Sequence, residues 1–151
     1  MNLTETPEII SWPETHYVFV ERVGPFMTNA PEAWGQAHGH LAALMESSRI
    51  QGYMSLYKPE AQVYRAGFAV ESAPESVPDG LRYEHFQGGK YARFVLTGPY
   101  NHLPEATGKV FEHVAQQKIP IRDAFFIENY VNDPKETPED KLVTELLIPV
   151  A

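Results

Sequence analysis

The chain contains no cysteine among its 151 residues. Disulfides, thiolate metal sites and thiol nucleophiles are thereby excluded, and the composition fits a reducing compartment. Positive charge is scarce: 12 Lys and Arg stand against 20 Asp and Glu, a formal net charge of −8. Such a surface repels phosphate backbones, and the basic residues are scattered rather than gathered, so no direct nucleic-acid partner is expected. Long apolar runs are also missing; no segment approaches the roughly 20 residues that span a bilayer. Residues 1–13 carry neither a basic start nor an apolar stretch, so no signal peptide is read there and a cytoplasmic protein without a membrane partner is expected. HExxH, Walker, GxGxxG and GxSxG motifs are absent. His38 and His40 fall two apart on a predicted helix and point to different sides, while His16, His85, His102 and His113 show no ligand spacing. Neither a metal nor a cofactor is expected.

What is present suits one α+β domain over residues 1–151, with 43% hydrophobic residues to close a core. Alternation and β-formers predict strands over 16–23, 53–57, 63–71, 81–87, 91–97, 124–131 and 142–150. Two helices are predicted between them. The first starts at an Asn29 cap followed by Pro31 and Glu32, with Trp34, Ala37, Leu41, Leu44 and Met45 as its apolar stripe. The second carries Leu103, Ala106, Val110 and Val114. Gly24-Pro25-Phe26 and Gly98-Pro99-Tyr100 each break a strand, and Pro31-Glu32-Ala33 and Pro104-Glu105-Ala106 each open a helix. These pairs stand 74 and 73 positions apart. The spelling predicts duplicated βαββ units, about 14–72 and 81–151, packed with pseudo-two-fold symmetry. The sheet should be mostly antiparallel with two helices on one face, leaving a ligand pocket at the opposite face or at the seam.

The segment from Ala124 to Val131 is the most informative. On a strand, Phe126, Glu128 and Tyr130 share one face. A carboxylate between two aromatics on so apolar a strand is poorly placed for solvation and calls for a cationic partner or a raised pKa; the alternative is an edge strand with Glu128 in water. The matching strand of the first half aligns Tyr57 with Tyr130 and Ser55 with Glu128. Glu128, Tyr53, Ser55, Tyr57, Phe126 and Tyr130 are therefore the candidate ligand contacts, with Phe26 and Tyr100 placed to close the mouth. Trp34 reads as core.

Taken together, Gly89-Lys90-Tyr91-Ala92, Thr97-Gly98-Pro99-Tyr100, the stretch from Phe126 to Pro134 and the closing stretch from Val143 to Val150 resemble the GyrI-like domains. These also serve as effector-binding domains of certain MerR- and AraC-type regulators. The resemblance implies a pocket for aromatic or cationic compounds, with Glu128 at the position of the family's pocket glutamate. With only about fifteen residues before the first strand and none after the last, a stand-alone form that does not read an operator by itself is expected, used for sequestration or sensing. Two alternatives follow from the same family. One is a small hydrolase of electrophilic toxins with Glu128 as general base, although Val114 to Pro120 lacks the Trp found there in many relatives. The other is an inhibitory protein partner of DNA gyrase.

Overall fold

In the computed structural model, which describes residues 1–151, the elements in chain order are β1 (Asn2–Leu3), β2 (Glu8–Trp12), β3 (Thr15–Val23), α1 (Phe26–Met45), β4 (Ile50–Lys58), β5 (Val63–Val70), β6 (Arg82–Phe86), β7 (Gly89–Thr97), α2 (Leu103–Gln116), β8 (Phe126–Tyr130) and β9 (Val143–Pro149). All strand pairs described below are antiparallel, and the α+β class expected from the pattern is the class observed. The chain divides into two units, Pro13–Gly88 and the combination of Met1–Trp12 with Gly89–Ala151.

In the Pro13–Gly88 unit the strands lie in the order β4-β5-β3-β6. Register places Val18, Val20, Ala66 and Phe68 on one face with Tyr53, Ser55 and Tyr57. Helix α1 covers this face, burying Ala33, Ala37 and Leu44. Tyr17, Phe19, Met54 and Leu56 are buried on the other face. There Arg65 lies over the Phe19 ring, 4.3 Å from its centroid, and is held by Glu21 and Glu84 at 2.9 Å each. Gly67 lets β5 approach β3, since a Cβ there would stand 2.3 Å from the Val18 carbonyl oxygen.

The helix begins earlier than its sequence suggests. Gly24 turns the chain at φ +136°, and Pro25, with its φ preset at −58°, is the cap. Asn29 is a buried residue of the first turn instead of the cap. Its Nδ2 donates to the Pro25 carbonyl at 2.9 Å, and its Oδ1 accepts from Arg22 Nε at 2.8 Å.

In the other unit β7 pairs with β9 on one side and with β1 and β2 on the other, and β8 pairs with β9. Ala106, Val110 and Val114 of α2 pack on Phe94, Leu96, Leu146 and Ile148, as the apolar stripe predicts. Two expectations about boundaries are corrected here. Residues 1–13 are not strand-free, because β1 and β2 supply an edge to β7. Residues 82–86 do not pair within a second half running 81–151; they pair with β3 in the unit of the first half. All three strands are five residues or shorter, so their order comes from their partners and little of it from local pattern.

Candidate functional site

Strand β8 puts Phe126, Glu128 and Tyr130 on one face and buries Ile127 on the other. Register places Glu128 opposite Leu146 and Tyr130 opposite Thr144, so the candidate face is the one α2 covers. Phe126 meets Phe111 of α2 edge-on, centroids 5.6 Å apart, and Tyr130 meets Tyr100 in the same manner at 5.6 Å. Glu128 is half-buried, and its Oε1 accepts the Tyr130 hydroxyl at 2.8 Å. Burial pushes its pKa above the ordinary carboxylate value, and the Tyr130 hydrogen bond only partly opposes that. No cation of this unit stands against it. Arg93 is held by Glu8 and Glu145, Arg122 donates to the Val150 and Lys90 carbonyls, and the lysines are exposed. Tyr100 is likewise shifted up, by burial first and then by Asp133. Thr144 is fully buried, and its hydroxyl has no protein partner.

The remaining candidates belong to the Pro13–Gly88 unit. Ser55 and Tyr57 are buried and Tyr53 is half-buried, all on the face under α1. Trp34 Nε1 donates to Ser55 Oγ at 3.2 Å and to the Tyr64 hydroxyl at 3.0 Å, while Ser55 Oγ and Tyr64 Oη lie 2.6 Å apart. Phe26, the first residue of α1, stands edge-on to Tyr57 and Tyr64 at 5.9 and 5.5 Å. Tyr53 packs edge-on against Phe68 at 5.2 Å, and His38 adjoins Trp34 and Tyr53.

In both units, then, the candidate side chains gather on the helix side. Tyr64 and the polar role of Trp34 were not read from sequence. Tyr64 had a usable signal, since the turn at 59–62 sets Tyr64 opposite Tyr57 and hence on its face. Trp34 gave none, because a tryptophan on an apolar helical stripe reads as packing until its N–H finds an acceptor. His38 and His40 stay apart; His40 instead faces Gly80.

The sequence profile of the GyrI-like small molecule binding domain matches residues 5–151. Among solved structures, the C-terminal domain of EcmrR aligns over 100% of this chain and 99% of its own, at 13% identity and a TM-score of 0.78. SAV2435, solved bound to tetraphenylphosphonium, aligns over 96% of this chain and 93% of its own, at 16% identity and a TM-score of 0.71. A hydrolase from Listeria innocua aligns over 98% and 93%, at 14% identity and a TM-score of 0.57. At these identities the likeness is one of fold. Comparison with curated proteins gives no significant match. No helix is long and apolar enough to cross a membrane. With the profile spanning nearly the whole sequence, the chain belongs to the GyrI-like family of small-molecule-binding domains.

Proposed function

We propose that this domain takes up aromatic, cationic organic compounds, for sequestration or sensing, and that Glu128 is the contact that selects their charge. The observation that carries this reading is a half-buried carboxylate with a phenol as its hydrogen-bond partner and no cation of its unit beside it. Leaving an ionised carboxylate there costs free energy that a bound cation recovers. Phe126, Tyr130 and Tyr100 add ring faces and edges suited to a flat or aryl-bearing cation. Tyr53, Tyr57 and Phe26 offer a second aromatic group in the Pro13–Gly88 unit, with Ser55 as a hydrogen-bonding centre. The tetraphenylphosphonium bound by SAV2435 supplies a probe of the right chemistry. Calorimetric titration of that cation and of neutral triphenylphosphine oxide tests the role of charge. Glu128→Gln is expected to weaken the cation by about tenfold, ~1.4 kcal/mol, and the neutral compound far less. Equal losses for both would remove Glu128 as the charge selector.

A second reading draws on the raised pKa of Glu128 and its Tyr130 hydrogen bond. A carboxylate whose proton affinity burial raises, and which a phenol orients, is suited in its ionised form to general-base activation of water, and one fold relative is a hydrolase. Product formation from a strained electrophile, lost in Glu128→Gln, would favour it over simple binding.

A further inference from the structure

Histidines 16 and 85 are 69 residues apart in sequence, yet they are direct antiparallel partners on β3 and β6. Directly opposed residues project from the same face of a sheet with their Cβ atoms about 4.5–5.5 Å apart. Here the two imidazoles stack, with centroids 4.9 Å apart and planes 17° from parallel. His16 is half-buried and the His85 side chain is 43% exposed, so the pair is rooted in the sheet and open to solvent on its outer side. His16 Nδ1 lies 2.7 Å from the Tyr83 hydroxyl. In the tautomer whose Nδ1–H donates to that oxygen, the Nε2 lone pair faces away, the arrangement in which a hydrogen-bonded imidazole serves as a metal ligand. Glu14 Oε2 stands 3.9 Å from His85 Nε2 and brings negative charge to the same place.

From this geometry we propose that His16 and His85 bind one divalent transition metal ion of the Zn²⁺, Cu²⁺ or Ni²⁺ class. Imidazole nitrogen is a favoured donor for these ions. Metal–imidazole bonds of about 2.0–2.1 Å hold two ligating nitrogens within about 4 Å of each other, and near-parallel rings at the observed spacing reach that by tilting. The protein supplies the two imidazole ligands and water completes the coordination, since no group of three or more His, Asp or Glu side chains gathers as a closed metal centre. The ion would tie the short strand β6 to β3. This site lies on residues distinct from the Glu128 group, so it stands or falls independently of the ligand reading.

The test uses the full chain without an affinity tag. Zn²⁺ and Cu²⁺ are titrated calorimetrically into the wild type, His16→Asn, His85→Asn, the double variant and His113→Asn. The expected result is one ion per chain, affinity lowered by about tenfold or more in each single variant, and no heat of specific binding in the double variant. His113→Asn should match the wild type. Metal should also raise the Tm of the wild type and leave that of the double variant unchanged. Binding that persists within about twofold in the double variant, or no binding by the wild type, overturns the proposal. Should the substitutions unfold the chain, NMR of the wild type decides instead. Cu²⁺ at substoichiometric ratio is expected to broaden the ring signals of His16 and His85 first, and uniform broadening of all six histidines refutes the site.

Discussion

Glu128 and Tyr130 stand two residues apart on one strand, so they lean from the same face and their hydrogen bond costs little to organise. Its consequence is a linked pH dependence whose sign follows from the direction of the shift. The folded chain holds the Glu128 proton to higher pH than the unfolded chain does. Between the ordinary carboxylate pKa and the raised one, the folded state therefore binds more protons. Stability from this group is present at low pH and declines as pH rises through that interval. Cation binding runs the other way: it favours the ionised form, releases a proton, and should tighten over the same rise in pH. Tetraphenylphosphonium affinity measured from the carboxylate range to neutrality is expected to climb in the wild type and stay flat in Glu128→Gln. Thermal melts of the variant should lack the loss that the wild type shows as pH rises above the ordinary carboxylate range. A cation affinity as pH-dependent in the variant as in the wild type would place the proton elsewhere.

At the scale of the element, the Gly-Pro breaks, the apolar stripe of α2 and the faces of β4 and β8 were legible in sequence. Each depends on a local periodicity or a backbone restriction that a few residues carry by themselves. The start of α1 was not legible, because Asn29 has the spelling of a cap. Its side chain, however, is used to join Arg22 of β3 to the Pro25 carbonyl, a tertiary demand that outranks the local one. The same holds for His16 and His85, which have no ligand spacing along the chain and meet only through register. Gly67 is a third case, since its missing side chain serves a contact between strands that only the register of β5 on β3 creates. A methyl group there meets the Val18 carbonyl oxygen at 2.3 Å and the Phe19 Cβ at 2.7 Å. Backbone is the obstacle, and a rotamer change cannot relieve it. Gly67→Ala is expected to destabilise by about 1–3 kcal/mol, read as a lower urea midpoint at unchanged m-value. A midpoint equal to that of the wild type would mean that β3 and β5 part more easily than their register implies.

For the whole molecule, the order strand, strand, helix, strand, strand occurs twice: β2, β3, α1, β4, β5, then β6, β7, α2, β8, β9. The halves drawn from sequence ran straight along the chain, whereas pairing does not. The chain leaves one unit at Trp12, builds the other from Pro13 through Gly88, and re-enters the first at Gly89. Each leading strand is thus paired away from the strand that follows it, β2 with β7 and β6 with β3. No local pattern encodes such a partner, since Ile9 and Ile10 interrupt the alternation of β2 and Ile9 is 53% exposed. Deletion of residues 1–12 separates the two descriptions. If the N-terminal segment were a loose tail, its loss would change little. With β1 and β2 in place as found, the deletion strips β7 of one edge, from Gly89 to Arg93 and at Leu96 and Thr97. It also breaks the Arg93–Glu8 ion pair. The unfolding free energy should fall by at least about 2 kcal/mol, the scale of a few net hydrogen bonds. The bared strand should in addition seek new partners, so light scattering is expected to show concentration-dependent association. A truncated chain that stays monomeric and melts with the full-length protein would show that β9 alone suffices to hold β7.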